Sequence, residues 1–484
     1  MTLPLSRRTM LAGAAAAALA PSMAIAAPED LPAGALVEDV RALRRVYETL
    51  HPGLLRYLTP PEAATAFERL EAEAADVRSL EAAYVTLSRF LGRVRCGHTY
   101  ANFYNQTRAV QARLFDRPDR LPFHFLWLGD RMVVTADPTG TGIAPGSEVV
   151  RLNGRPAGEV LAGLMSVARA DGGADGKRRR LMSVQATDGY ESFDVFHSLL
   201  FGARSRHTLE VVGPDGRTRS ASVDGLSLEA RRAQRKVTEP DGDQPIWTLE
   251  RLGDAAVLTM GDWGLYDSGW DWRGWLDRQM DQLVADGVPR LIVDVRANEG
   301  GIDCGDVLAA RLTDRTLRPA PVRRLVRYRR VPDDLKPMLD TWDRSFDDWG
   351  DAAVLFDDRY FSLERGAEVD GEIVPKGPRY QGAVSVLVGP QNSSATFNFA
   401  QMIQREGLGR LVGETTGGNR RGINGGAFYF VRLPATGLEV DLPLIGQFPP
   451  EPQPDAGVEP DVFAPQTSEA IAAGRDAALE AALA

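Results

Sequence analysis

Two neighbouring hydroxyl groups, on Ser393 and Ser394, stand where a chain can hold a nucleophile. The apolar run Val384–Val388 predicts a strand, a Gly-Pro-Gln-Asn turn follows it, and the residues beyond the turn have helical spacing. One face of this predicted helix carries Ala395, Phe399, Met402 and Ile403. A serine in the first helical turn lies among unpaired N–H groups at the positive end of the helix dipole, which favours a developing oxyanion. Serine is also a common N-cap residue, so the local sequence leaves both roles open.

A second stretch, Asp294–Gly301, follows an apolar run that predicts a buried strand. Its terminal Gly-Gly allows backbone N–H groups to approach a ligand closely, as an oxyanion hole requires. Taken alone, the stretch is equally consistent with an ordinary turn. The polar residues before the glycines are expected to hold the turn in shape, and they are Asp294, Arg296 and Asn298.

Other common chemistries find no support in the sequence. The chain has no G-x-S-x-G, P-loop, G-x-G-x-x-G or H-E-x-x-H motif, which argues against an α/β-hydrolase, a nucleotide enzyme and a zincin. The histidines, at positions 51, 98, 124, 197 and 207, show no metal-ligand spacing, so we expect no metal and no cofactor. The chain contains four lysines, which are Lys177, Lys236, Lys336 and Lys376.

Residues 1–26 predict an export signal with twin-arginine character. Arg7 and Arg8 precede an Ala/Leu-rich run, and the small residues that end at Ala26 predict cleavage after that position. The apolar run is shorter than the ~18 residues that span a bilayer, so we expect a periplasmic or secreted protein without a membrane span. Loss of two arginines and no acid takes the formal net charge from −10 to −12, which disfavours nucleic acid as a partner.

The periodicity of apolar residues changes several times along the rest of the chain. The full length of 484 residues is typical of two or three domains. Helical spacing prevails at first, short alternating strands follow, and an α/β pattern comes last. The segment Asp171–Arg180 is rich in Gly and Arg and is expected to be an exposed loop. A charged, aromatic segment at 323–350 has no assigned role. The predicted divisions are a helical region at 34–112, a β-rich region at 113–230, a linker at 231–245, an α/β region at 246–465 and a helix or tail at 466–484.

Four motifs, in this order, resemble the core of the C-terminal processing (tail-specific) serine peptidases, a group that includes tricorn protease and interphotoreceptor retinoid-binding protein. The motifs are Asp294–Gly301, Ser393–Ala395, Gly413–Gly418 and Gly457–Asp461. Two further stretches resemble parts of the family, Cys96–Thr99 its Asp-Gly-His-Thr element and Gly142–Gly154 its PDZ-like module. The resemblance implies a crotonase-like α/β catalytic core at 246–465, a PDZ-like module at 113–230 and an N-terminal helical domain that ends in the His98 element.

By this resemblance the nucleophile is Ser394, the serine that precedes an alanine. The implied oxyanion donors are the amides of Ala395 and of Gly300 or Gly301. Many family members use a lysine as general base at a position where this chain has Asn419, and no lysine follows it. Arginine cannot replace that lysine because it stays protonated, so a serine–lysine dyad is excluded at this stage.

The resemblance to the tricorn-like branch implies His98 as the general base. A neutral imidazole near physiological pH is suited to taking the proton of a serine hydroxyl. Gly97 stands where that branch has a serine. The same resemblance implies that a carboxylate from the C-terminal segment orients the imidazole, and Asp455 and Glu459 are the candidates.

The two cysteines, Cys96 and Cys304, lie close in sequence to His98 and Gly301. If the motifs converge, a disulfide between them requires Cα atoms within about 7 Å. A disulfide and two buried free thiols both remain open in an oxidising compartment.

The sequence thus predicts an exported serine peptidase that cleaves peptides or unfolded protein tails through an acyl-enzyme on Ser394. One alternative on the same fold is a non-catalytic protein that binds a peptide or a small apolar ligand. In that case the tryptophan-rich stretch 263–275 would line an apolar pocket. A second alternative is a non-peptidase esterase. The substrate, the cleavage preference and the oligomeric state are not determined by the sequence.

Overall fold

The computed structural model describes residues 30–187, 189–235, 242–363 and 371–484. The predicted signal at 1–26 and part of the predicted linker, residues 236–241, lie outside these ranges. None of the described helices is both long and apolar enough to cross a membrane.

The first described region is helical, as its periodicity predicted. The side chain of Thr59 accepts a hydrogen bond from the Glu62 amide, and the Glu62 side chain accepts one from Thr59, so this capping box starts the second helix. The third helix ends where Arg95 takes a left-handed conformation, with φ of 55°. The helices are α1 (Ala35–Leu50), α2 (Pro60–Ala74), α3 (Leu80–Val94) and α4 (Arg108–Leu114).

An antiparallel sheet with strand order β1-β2-β3-β5-β6 follows, and β4 pairs with β3. Along β5 the buried residues His207, Leu209 and Val211 alternate with more exposed ones, because only one face of this sheet is covered. The elements of this region are β1 (His124–Leu128), β2 (Arg131–Ala136), β3 (Glu148–Leu152), β4 (Arg155–Pro156), α5 (Ala157–Met165), α6 (Asp175–Leu181), α7 (Ser192–Phe201), β5 (Arg206–Val212), β6 (Thr218–Asp224) and α8 (Leu228–Arg232).

One expectation for this region is wrong, and the first residues of the predicted linker are helical. The segment predicted as an exposed loop contains α6, and the side chains of Asp171 and Lys177 within it are buried. The predicted linker begins with Arg231, which lies in α8 and is also buried. Its guanidinium donates to the Asp194 carboxylate at 2.8 Å. Polar composition suggested solvent exposure in both places, but ion pairs allow these charged side chains to be buried.

The rest of the chain forms two sheets, and segment 323–350 contributes strands and 3-10 helices to one of them. The elements are β7 (Thr248–Leu252), β8 (Ala255–Thr259), α9 (Trp272–Ala285), β9 (Arg290–Asp294), α10 (Cys304–Leu312), β10 (Arg323–Val326), β11 (Leu339–Asp340), β12 (Ala353–Leu355), β13 (Phe361–Leu363), β14 (Ala383–Val388), α11 (Ser394–Glu406), β15 (Arg410–Gly413), β16 (Asn424–Arg432), β17 (Glu439–Phe448), β18 (Val462–Phe463), α12 (Ser468–Ala472) and α13 (Ala477–Leu483), with 3-10 turns at Lys336–Met338, Arg344–Asp347 and Gly350–Ala352.

One of these sheets has the order β18-β15-β14-β9-β8-β7 and is parallel except for β7 at its edge. Helices α9, α10 and α11 pack on one face and α13 on the other, so the central strands are apolar along their length. Strands β9 and β14 are neighbours and run in the same direction. Their carboxyl ends therefore lie side by side, which places the glycine turn after β9 next to the serine turn after β14.

The third sheet has the order β11-β16-β17-β10-β13-β12. It shares a hydrophobic core with the N-terminal helices and the first sheet. Polar contacts strengthen this packing: the Tyr47 hydroxyl donates to the Asp441 carbonyl at 3.1 Å, and the Asp39 carboxylate accepts from the Ala435 and Thr436 amides. The overall architecture is a mixed α/β fold.

Candidate active site

Ser394 is the first residue of α11 and has a φ of 52°. This left-handed conformation is strained for any residue other than glycine, and such strain is concentrated at functional sites. Ser393 is the N-cap residue, but its side chain makes no capping hydrogen bond. Asn392 fixes the turn, because its side chain accepts from the Gly389 amide at 2.8 Å and donates to the Asn298 carbonyl at 3.0 Å. Ser393 is therefore not an ordinary helix cap.

The glycine turn packs directly against this helix start. A Cβ atom at Gly300 would lie 2.8 Å from the Ser394 Cβ and 3.0 Å from the Ala395 nitrogen. A Cβ atom at Gly301 would lie 2.1 Å from the Trp263 carbonyl oxygen. Both residues also have positive φ values, 111° and 143°, so glycine is required at each position.

Asn298 holds this turn in shape, as expected. The side chain is buried, and its Oδ1 accepts from the Gly300 amide at 2.8 Å while its Nδ2 donates to the Met260 carbonyl at 2.8 Å. The Gly300 amide is thus already engaged, which corrects the expectation that it can serve as an oxyanion donor. The amides of Gly301 and Ala395 remain as candidates.

Asp294 and Arg296 are not among the described residues that line the cavity described below. Arg296 donates to Asp294 at 2.6 Å and, at 2.7 Å, to Asp476, the N-cap residue of α13. These two residues connect the end of β9 to the C-terminal helix and thereby support the start of the turn.

The turn around His98 is fixed through the backbone of Gly97. The Gly97 amide donates to Asp171 Oδ1 at 2.9 Å, and Arg169 donates to the Gly97 carbonyl at 2.7 Å. A Cβ atom at Gly97 would lie 2.8 Å from Asp171 Oδ2. The Asp171 carboxylate therefore fills the space that a side chain at position 97, such as the serine of the tricorn-like branch, would occupy.

His51 holds the other side of the same turn. Its Nδ1 accepts from the Gly53 amide at 3.0 Å, so its Nε2 carries the hydrogen and donates to Thr99 Oγ1 at 2.8 Å. Burial lowers the pKa of His51 to about 3, which keeps the ring neutral. His98 is thus presented by a turn that distant parts of the chain hold on both sides.

Cys96 and Cys304 are both buried free thiols, which is the second of the two possibilities that the sequence left open. Cys96 lies in the core that the N-terminal helices share, whereas Cys304 starts α10 in the core of the parallel sheet. Burial raises the pKa of both thiols, that of Cys96 to about 11. The Cys96 sulfur instead accepts from Asn424 Nδ2 at 3.3 Å.

A cavity of about 540 Å³ lies between the serine turn, the glycine turn and the histidine turn. Ser394, His98, Gly301 and Ala395 all line it. These residues come from three separate stretches of the chain. The structure therefore brings together the predicted nucleophile, the predicted base and two predicted oxyanion donors.

The two acids predicted to orient His98 have other partners, and neither is among the residues that line this cavity in the described chain. Glu459 is exposed and accepts from Thr415 Oγ1 at 2.7 Å. Asp455 accepts from Asn419 Nδ2 at 2.6 Å and from the Gly173 amide at 2.8 Å. Asp455 thus connects the turn after β15 to the segment that precedes α6.

Sequence reasoning missed two buried acids of the cavity wall, Asp171 and Asp441. Asp441 accepts from Asn102 at 2.8 Å and from Asn105 at 2.9 Å, and burial raises its pKa to about 7. An acid within the apolar strand β17 was a detectable signal for Asp441. No comparable signal marked Asp171, whose neighbours are typical of a surface loop.

A lysine also lies beside the serines, although the position at which many family members have a lysine base is Asn419 in this chain. Lys177 comes from α6, more than two hundred residues before the serine turn, and its Nζ donates to Ser393 Oγ. It also lies 3.4 Å from Glu299 Oε2 in the glycine turn. The exclusion considered only the position after the serine helix, whereas tertiary packing supplies a lysine from elsewhere.

One wall of the cavity is aromatic. The Trp342 ring lies 6.0 Å from the Phe428 ring and 5.9 Å from the Phe430 ring, and Phe428 lies 5.9 Å from the His98 ring. Trp342 belongs to the 323–350 segment, which thus contributes to the candidate site.

The tryptophan-rich stretch 263–275 does not have the role considered for it. Trp263, Trp270 and Trp272 are buried in the core of the parallel sheet, and the cavity wall contains only Tyr266 from this stretch. The alternative prediction that these tryptophans line an apolar ligand pocket is therefore wrong.

Residues 254–462 match the model of peptidase family S41. Among solved structures, mature CPAF complexed with lactacystin is 16% identical, covers 93% of this chain and 97% of that chain, and has a TM-score of 0.60. Mature CPAF is 17% identical with coverage of 91% and 94% and a TM-score of 0.58. The photosystem II D1 C-terminal processing protease is 16% identical with coverage of 92% and 98% and a TM-score of 0.42. No curated protein matches the chain.

The likeness to CPAF shows that the two chains share a fold. The family match covers strands β8, β9, β14 and β15 of the parallel sheet together with the glycine and serine turns. The prediction of a C-terminal processing serine peptidase is thus confirmed, and the chain is a serine-type peptidase whose residues 254–462 match family S41.

Proposed function

We propose that this family S41 peptidase is exported and cleaves peptides or unfolded protein tails through an acyl-enzyme on Ser394, with His98 as general base. The observation that carries the proposal is the single cavity lined by Ser394, His98, Gly301 and Ala395. The strained backbone of Ser394 supports the choice of this serine over Ser393, whose hydroxyl is engaged with Lys177 and the Glu299 carbonyl.

The proposed reaction has two halves. Ser394 Oγ attacks the scissile carbonyl carbon while its proton passes to His98, and the Gly301 and Ala395 amides donate to the oxyanion. The C–N bond then breaks as His98 returns the proton to the leaving amine. In the second half, water attacks the ester with His98 again as base, which releases the acid product and restores Ser394.

Asp171 takes the place of Asp455 and Glu459 in this proposal as the acid that supports His98. It acts on the backbone of Gly97 rather than on the imidazole, so its role is to hold the turn. The aromatic wall beside His98 fits an apolar or aromatic substrate side chain next to the scissile bond.

The finer domain assignment belongs to the same proposal. We assign a helical domain to residues 34–112, a PDZ-like peptide-binding module to 113–230, a crotonase-like core to 246–465 and a helical C-terminal segment to 466–484. The antiparallel sheet of the second region and the parallel sheet of the third support this division. Titration of the isolated 113–230 fragment, if it is folded by circular dichroism, with an apolar C-terminal peptide tests the module, and absence of binding contradicts it.

Labelling with a fluorophosphonate probe tests the nucleophile. We expect the wild type and Ser393→Ala to be labelled, Ser394→Ala to be unlabelled and His98→Ala to be labelled about 10²- to 10⁴-fold more slowly. Ser393→Ala is the matched control, because it removes the adjacent hydroxyl. Equal labelling of Ser394→Ala and the wild type would contradict the assignment. Degradation of casein, compared with turnover of a simple ester, separates a peptidase from an esterase.

Export is tested separately. Replacement of Arg7 and Arg8 by lysine is expected to retain the protein in the cytoplasm, and the N-terminus of the exported wild type is expected at Ala27. Export of the double-lysine variant at the wild-type level would rule out a twin-arginine signal.

A further inference from the structure

Lys177 is a buried cation in the wall of the cavity. Its side chain is 3% exposed, and its Nζ has three acceptors within reach. These are Ser393 Oγ, Glu299 Oε2 at 3.4 Å and the Gln391 carbonyl at 3.5 Å. An isolated ammonium group would be costly to bury, so the acceptors and the carboxylate are required to keep it there.

Burial lowers the pKa of Lys177 and the nearby Glu299 carboxylate opposes this shift, while the hydrogen bonds of Lys177 are those of a donor. Ser393 donates its own hydroxyl hydrogen to the Glu299 carbonyl at 3.0 Å, so only its lone pairs face the lysine. The three acceptors around Nζ match the three N–H groups of an ammonium. Burial alone would raise the pKa of Glu299, but Lys177 and Arg169 lower it to about 2, so a negative charge stays beside the lysine.

The same short segment contacts both halves of the candidate site. Lys177 reaches the serine and glycine turns, while Asp171 and Arg169 bind the amide and the carbonyl of Gly97 beside His98. This segment lies outside residues 254–462, the part of the chain that matches the family. Relative movement of about 1 Å between reacting groups can cost on the order of 100-fold in rate, so a device that fixes their spacing has catalytic value.

We propose that Lys177 is a positioning residue, whose ammonium group ties Ser393 to Glu299 and thereby keeps Ser394 and the Gly301 amide in register. It does not touch the substrate and takes no part in proton transfer. This inference rests on the proposed role of Ser394 as nucleophile.

Steady-state peptide hydrolysis by Lys177→Met tests the inference. We expect kcat to fall about 10- to 100-fold, KM to stay within about twofold, and the pH dependence of kcat/KM to keep its wild-type midpoint because His98 remains the base. Lys177→Arg keeps the charge and is expected to recover part of the loss. The matched control is Lys376→Met, which removes an exposed lysine paired with Asp277 and should leave kcat unchanged.

Ser393→Ala provides a second test that leaves the buried ion pair intact if Lys177→Met does not fold. Ser393→Ala should lower kcat about 10-fold. If both single variants fold, the double variant should have a kcat little lower than that of Ser393→Ala, because the two substitutions remove the same contact. A kcat within twofold of wild type for Ser393→Ala, or for a folded Lys177→Met, would overturn the inference. So would loss of labelling in Lys177→Met together with wild-type labelling in His98→Ala, since Lys177 would then be the base. A wild type that no probe labels would instead refute the proposed function, and the inference with it.

Discussion

Replacement of Ser394 by glycine is expected to abolish catalysis and to leave the protein more stable than replacement by alanine does. Ser394 has a φ of 52°, and a left-handed conformation costs an L-residue roughly 1–2 kcal/mol. Glycine avoids this cost, but its greater freedom in the unfolded chain offsets about 0.5–1 kcal/mol. Ser394→Gly should therefore be more stable than Ser394→Ala by about 0.75 kcal/mol, within a range of about 0–1.5 kcal/mol.

The comparison with Ser394→Ala isolates the backbone contribution. Both variants lack the hydroxyl group, so they lose the same side-chain interactions, and only alanine retains the strained Cβ. The neighbouring Ala395 is the matched control, because it follows in the same helix without a positive φ. Ala395→Gly should destabilise the protein by about 0.5–1 kcal/mol, the opposite sign at the next position.

Urea unfolding followed by tryptophan fluorescence measures these differences as shifts in midpoint at constant slope. The expected order places Ser394→Gly above Ser394→Ala and Ala395→Gly below the wild type. An unstrained Ser394 would instead behave like Ala395, so that glycine at position 394 would be less stable than alanine by the same amount as in Ala395→Gly. That result would remove backbone strain as a reason to assign Ser394 a functional role.

Three further outcomes are expected. The pKa of His51 is about 3 in the folded state against an ordinary 6.5, so the stability that neutral His51 contributes is complete above pH 6.5 and is lost as the pH falls. The free energy of unfolding of the wild type should therefore fall by about 2 kcal/mol between pH 7.5 and 5 on account of His51, and His51→Gln should remove this part of the fall. An unchanged pH dependence in His51→Gln would contradict the prediction. Gly97→Ser should destabilise by about 1–3 kcal/mol because its Cβ meets Asp171, and wild-type stability in urea unfolding would show that the turn can yield. Trp342→Ala should raise KM several-fold for peptides with an aromatic residue at the cleavage site and little for those with alanine; equal effects on both peptides would exclude a subsite at the aromatic wall.

The strand-turn-helix around Ser394 was predictable because its signals are local. An apolar strand, a Gly-Pro turn and a helical apolar face are all written within a few residues, and the structure has β14 and α11 at these places. The glycine turn was equally visible, since Gly300 and Gly301 follow an apolar strand. Parallel pairing of β9 with β14 then explains why the two turns lie together.

Hydrogen bonding at the same turns was not predictable. Asn298 takes the Gly300 amide, a contact that depends on the fold of the turn and not on residue type. The cysteines near the two motifs lie in different cores, because closeness of two motifs does not extend to every neighbouring residue.

The sequence by itself determined the serine peptidase class, the α/β character and the turn that bears Ser394, because these depend on periodicity and on short motifs. Only the tertiary structure decided which charged groups surround that serine. Lys177 and Asp171 come from a segment whose polar composition is typical of an exposed loop, and packing buries them where opposite charges and hydrogen bonds compensate the loss of water. Such compensation depends on groups far apart in the chain, and no local pattern records it.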